Sequence, residues 1–146
     1  MKAKEYLMQV ERIERIIRNK REEIFRLRNS VESTTAINTG ERVMSSGSQD
    51  KLGDTITKMV LMQDEISADI EILLIKRREV IATIDQVGDA ELIDLLYRRY
   101  CLFKSWEQIA CEMNYTYRWV TKLNGKALLK VQKILDDREE KRRKNG

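Results

Sequence analysis

Five cations stand on one stretch of this chain with nothing acidic among them. From Asn114 through Leu135 the sequence carries Arg118, Lys122, Lys126, Lys130 and Lys133, and no Asp or Glu. Cations at spacings of three and four fall on one side of a helix, a pattern suited to phosphate oxygens. Arginine adds a planar fork of donors able to meet the acceptor edge of a guanine. Polar and aromatic side chains surround them, with Thr116, Tyr117 and Thr121 near the first turn and Gly125 mid-run. Hydrolytic or redox chemistry lacks its usual residues. Histidine is absent, and the two cysteines, Cys101 and Cys111, lie in apolar-patterned helical sequence that predicts two buried thiols. No zinc ligand set exists, and no cofactor or enzymatic activity is expected.

These cations need an element to hold them, and the local punctuation supplies one. Asp89 is placed to cap a helix presenting Leu92, Leu95, Leu96 and Tyr100 inward. Ser105, with Gln108 three residues on, reads as a capping box for a second helix whose inner face is Ile109, Ala110 and Met113. Asn114 marks a turn, since asparagine tolerates the left-handed conformation better than other non-glycine residues. Thr116 then caps a third helix with Val120, Leu123, Ala127 and Val131 on its core face. With Val120 at zero, Arg118, Thr121, Lys122 and Gly125 fall between about 100° and 200°, facing outward. Two short helices around a tight turn, the second cationic, is the pattern of a helix-turn-helix entering the major groove.

The rest of the chain reads as long helices. No proline occurs in 146 residues, 36% of them charged, which favours uninterrupted helix. Leu7, Val10, Ile13, Ile17, Ile24, Leu27 and Val31 form one narrow apolar stripe over residues 2–32, a coiled-coil-like seam. Residues 33–53, rich in Ser, Thr and Gly, predict a flexible loop of about 20 residues. Asp54 is placed to cap a second long helix running to Val87, and Gly88-Asp89 to stop it and start the next. That second helix is apolar on two sides. Ile56, Met59, Val60, Ile66, Ile70, Leu73 and Leu74 belong to the wider face, and Leu61, Ala68, Ile72 and Ile75 to the opposite one. Either a second copy of the chain or the C-terminal domain must cover the opposite stripe.

The expected fold is all-α. A long antiparallel helical hairpin over residues 1–87, coiled-coil-like and oligomerising, is followed by a helix-turn-helix domain over 88–138 and a disordered charged tail over 139–146. Charge is uneven. Residues 1–31 carry nine basic and five acidic side chains, 32–89 six and eleven, and 90–146 thirteen and eight, so the C-terminal part is the natural polyanion binder. No secretory signal is evident, and no apolar run nears the roughly 18 residues of a membrane span. The expectation is a cytoplasmic, nucleoid-associated protein of a bacterial host.

Residues 100–128, above all Ser105-Trp106-Glu107-Gln108-Ile109-Ala110 and Thr116 through Val120, resemble region 4 of bacterial sigma factors, which reads the promoter −35 element. Phe103 stands where that region usually has glycine, and Asn114 replaces its turn glycine. The core-binding region of a sigma factor is not apparent. The whole chain is similar to a family of small prophage proteins of Gram-positive bacteria. That family has a helical N-terminal part, a Ser/Gly loop, a Gly-Asp helix start (here Gly53-Asp54) and this C-terminal module, and relatives of the kind are described as phage transcriptional regulators. The resemblance implies a transcriptional regulator that binds double-stranded DNA sequence-specifically; the two-sided second helix leaves a homodimer as one of its two readings, and bacterial RNA polymerase is a further candidate partner. Thr116, Tyr117, Arg118, Thr121, Lys122, Gly125, Lys126 and Lys130 would form the DNA surface. Two other readings fit the sequence: a DNA-packaging protein like a small terminase subunit, and a coiled-coil adaptor that binds polymerase.

Overall fold

Helix punctuation and apolar spacing produce an all-helical chain. The computed structural model describes residues 1–38 and 46–146, side chains excepted at 34–38 and 46–49. The elements are α1 (Ala3–Leu7), α2 (Gln9–Asn38), α3 (Ser46–Asp85), α4 (Ala90–Leu96), a π-helical turn (Tyr97–Cys101), α5 (Trp106–Met113) and α6 (Tyr117–Asn145). Between α1 and α2 only Met8 is interrupted. Its N–H still bonds Lys4 O at 3.0 Å, and its own carbonyl accepts from Arg12 N at 3.1 Å.

The long helices extend further than the sequence pattern predicts. The loop expected over 33–53 is helical at 33–38 and again at 46–53, and its remaining residues, 39–45, lie outside the described ones. Asp54 consequently sits within α3 and not at its cap. Serine, threonine and glycine are weak helix formers, but adding a residue to an existing helix costs little compared with nucleating one. The threonines are satisfied inside the helix, Thr55 donating to Lys51 O and Thr57 to Gly53 O, each at 2.9 Å. The stop at the other end follows the sequence. Gly88 adopts a φ of +80°, and Asp89 accepts hydrogen bonds from Glu91 N at 3.0 Å and Leu92 N at 3.2 Å.

Two compact units result, Met1–Arg12 with Leu73–Gly146, and Ile13–Ile72. The division falls within α2 and α3, not at the Val87–Gly88 junction where the sequence placed it. The first unit contains the core. Ala3, Leu7 and Val10 from the N-terminus pack with Val80, Ile84 and Val87 of α3, with Leu92, Leu95 and Leu96 of α4, and with Val120, Leu123, Ala127 and Val131 of α6. Leu7 and Val10 thus serve this core and not the seam of a separate hairpin.

A buried hydroxyl ties three elements of this unit together. Thr83, fully buried, donates to Glu79 O at 3.0 Å. It accepts from Tyr6 Oη at 2.9 Å and from Arg138 Nη1 at 2.8 Å. All of its hydrogen-bonding capacity is used, as burial demands. Gln132 Oε1 adds a bond from Ala3 N–H at 2.7 Å. The charged tail, expected to be disordered from residue 139, continues α6 to Asn145. Pairs four residues apart support it, Glu139 with Arg143 and Glu140 with Lys144, both at 3.2 Å.

The second unit is an antiparallel pair of helices with one seam. Among its described residues Ile17, Ile24 and Ile66 are buried. Lys20 bridges the helices, 2.7 Å from Asp69 and 3.3 Å from Glu65. The stripe of Leu61, Ala68 and Ile72 is exposed.

Candidate nucleic-acid interface

The surface begins at the turn between α5 and α6, where three short-range signals act together. Ser105 Oγ accepts from Gln108 N at 3.2 Å and starts α5. Asn114 ends it in the left-handed conformation, φ 58° and ψ 41°. Tyr115 N–H reaches back to Ala110 O at 2.9 Å and Asn114 N–H to Cys111 O at 3.3 Å, the paired bonds of a Schellman motif. Thr116 Oγ1 then accepts from Trp119 N at 3.1 Å and starts α6. A helix, a three-residue turn and a helix follow in sequence, with Ile109 and Ala110 buried on the first and Val120, Leu123, Ala127 and Val131 on the second.

Upstream, the chain enters α5 through an unexpected π-helical turn. Leu102 N–H bonds Tyr97 O at 3.0 Å, and the extra residue per turn leaves the neighbours Tyr100 and Cys101 both buried. Phe103 adopts φ 58°, a left-handed conformation uncommon for a residue with a side chain. Arg99 steadies the connection. Its guanidinium donates to Lys104 O at 2.9 Å and lies 4.3 Å from the Trp106 ring centroid.

α6 presents its cations to solvent. Arg118, Lys122, Lys126, Lys130 and Lys133 are all exposed, and none is among the residues that form ion pairs. Arg118 and Lys133 are separated by about 22 Å along the helix at 1.5 Å per residue. Three other cations of the same unit, Arg98, Lys104 and Lys76, are neutralised. Lys104 lies 2.7 Å from Glu112, and Arg98 pairs with the same carboxylate and with Asp94. The Lys104 hydrogen bond, with Arg98 behind it, holds the Glu112 carboxyl below the ordinary carboxylate range. A cleft of about 840 Å³ elsewhere in the unit carries Lys76, Glu79 and Arg138. Lys76 there pairs with Glu79 at 3.1 Å and Arg138 is bound to Thr83. On α6 the five cations from Arg118 to Lys133 form one run without an ion pair among the described residues.

The sequence-derived site residues divide into groups. Tyr117, Arg118, Lys122, Gly125, Lys126 and Lys130 are exposed along α6, and Thr116 is its cap. Thr121 is half-buried, and its hydroxyl donates to Arg118 O at 2.9 Å, so it turns toward its own helix. A Cβ added at Gly125 would meet nothing within 4 Å; no packing requires glycine there. Trp119 was missing from the sequence-derived set. It is 47% exposed and lies on the flank of Lys126 and Lys130, about 240–280° from Val120. Tyr115 meets it edge to face, with ring centroids 6.4 Å apart, and the Tyr115 hydroxyl donates to the Glu91 carboxylate. That bond pushes the Tyr115 phenol pKa up. The signal for Trp119 was its place three residues after the Thr116 cap. Leu129, 74% exposed, sits amid the lysines.

One cysteine departs from expectation. Cys101 is buried, and burial raises its pKa, but Cys111 is exposed. Cys111 follows the inward pair Ile109 and Ala110 on α5, and the next step around the helix turns it to solvent. Among the described residues no helix is long and apolar enough to cross a membrane. Comparison with family models, with curated proteins and with solved structures gives no match.

Proposed function

We propose that this protein is a sequence-specific binder of double-stranded DNA that regulates transcription by placing the amino-terminal half of α6 in the major groove. One observation carries the reading: five unpaired, exposed cations share a helix that starts at a capped three-residue turn, with no carboxylate between Asn114 and Leu135. A free cation on a rigid helix can neutralise phosphate without first breaking an internal ion pair. Arg118 and Lys122, in the first two turns, approach base edges. Lys126, Lys130 and Tyr117 contact the backbone, which positions the helix without reading sequence. The similarity to sigma region 4 supports promoter DNA as the target and polymerase as a neighbour on it.

Selection of bound duplexes from a random pool, followed by titration across salt, tests this. Arg118→Ala is expected to relax base preference by about 1–3 kcal/mol at one position. Lys130→Ala is expected to weaken all duplexes alike and to lower the slope of log K against log salt by about one. If Arg118→Ala left affinity and base preference unchanged, the assignment would fail. Retained polymerase binding with no duplex shift at low salt would favour the adaptor instead, and ring-sized oligomers the packaging protein.

A further inference from the structure

The unit Ile13–Ile72 leaves large apolar side chains uncovered on one face. Phe25 of α2 is 57% exposed, and Ile56 and Val60 of α3 are 48% and 51% exposed. Ile56, Val60, Gln63 and Ser67 follow at intervals of four, three and four, one stripe of α3. Gln63 and Ser67 line a groove of about 430 Å³ with Ile24, Phe25 and Ile66, bordered on the α2 side by Arg21 and Arg28.

The charge on this face selects its occupant. Residues 13–31 of α2 carry six basic and three acidic side chains, whereas residues 54–72 of α3 carry one basic and five acidic. On the opposite face Lys20 already satisfies Asp69 and Glu65. On the groove face Arg21 and Arg28 have no carboxylate partner among the described residues, and neither do Asp64 and Glu71 beside the Ile56–Val60 stripe. A surface that is basic along one helix and acidic along its neighbour complements itself when a copy is laid over it with the helices exchanged.

We infer that a second copy of this chain covers the Phe25–Ile56–Val60 face, so that α2 of each protomer lies against α3 of its partner in an alternating four-helix bundle. Phe25, Ile56 and Val60 supply the buried centre. Arg21 and Arg28 of one copy meet Asp64 and Glu71 of the other, which sets the pairing more than the affinity. The stripe of Leu61, Ala68 and Ile72, where the sequence pattern suggested a partner, lies outside this interface. Assembly can be measured without DNA, so its outcome is separate from that of the DNA-binding reading.

Sedimentation equilibrium on the full chain tests the inference. The wild type is expected to be a dimer at tens of micromolar, and F25D/V60D a monomer with unchanged far-ultraviolet circular dichroism. R21E/R28E is expected to raise the dimer Kd by about tenfold or more, and adding D64K/E71K to the same chain to restore it to within about threefold. A wild type that stays monomeric at about 100 µM overturns the inference, as does dissociation by L61D/I72D with F25D/V60D still dimeric. Charge reversal that D64K/E71K does not rescue overturns the alternating arrangement.

Discussion

Single residues around the α5–α6 turn have separable roles. Asn114 holds a left-handed conformation that costs most side chains roughly 1 kcal/mol, so its type matters through backbone geometry. Gly125 is different. It has ordinary helical geometry, exposure and open space around its Cα, and a glycine in such a place costs about 1 kcal/mol relative to alanine. Gly125→Ala is therefore expected to raise stability by about 0.5–1 kcal/mol, read from the midpoint of denaturant unfolding. The same variant reports on the proposed interface. If the helix backbone approaches DNA closely at residue 125, Gly125→Ala weakens duplex binding while stabilising the fold. Unchanged affinity would remove Gly125 from the DNA surface. Thr121 has a weaker claim than its spacing suggested, because its hydroxyl is already bonded to Arg118 O.

At the scale of elements, α1, α3 and α6 meet through the hydroxyl of Thr83. Thr83→Val keeps the side-chain shape and removes the acceptor used by Tyr6 Oη and Arg138 Nη1. The expected loss is about 1–2 kcal/mol. Thr83→Ser, which keeps the oxygen and loses one methyl, should retain more stability than Thr83→Val in the same unfolding assay. Equal losses would mean that packing, not the hydrogen-bond hub, sets the requirement. This hub also bears on α6, which has 29 residues and whose cationic half emerges from the turn after α5. Arg138 and Gln132 anchor the later half of the same helix to α3 and to the N-terminus, which holds the cationic half at a fixed rotation.

Over the whole molecule, the two units differ in how much they bury. The core cluster of Met1–Arg12 with Leu73–Gly146 includes residues of α1, α2, α3, α4, α5, α6 and the π-helical turn. The described part of Ile13–Ile72 buries Ile17, Ile24 and Ile66. Local stability follows buried apolar area. Native-state hydrogen exchange should therefore show amides of Ile13–Ile72 exchanging faster than those of α4 and α6. If the inferred dimer forms, protection in Ile13–Ile72 should rise with protein concentration while that of α4 and α6 stays constant. Equal protection in both units at dilute concentration would contradict this ordering.

The short-range signals were legible in the amino-acid order. Asp89, Ser105 and Thr116 cap as their types and offsets require, Gly88 and Asn114 take positive φ, and Val120, Leu123, Ala127 and Val131 face inward. Each depends on atoms within a few residues, so local sequence determines it. Other features depended on partners distant in the chain. The sequence could not place Leu7 and Val10 in the C-terminal core, bury Cys101 while exposing Cys111, or leave Trp119 uncovered beside the lysines. It also ended α2 too early and began α3 too late, since weak local propensity is overridden once a helix is already growing. Caps and turns are set by neighbours along the chain, whereas burial is set by whichever element arrives from elsewhere, and only tertiary packing decides that.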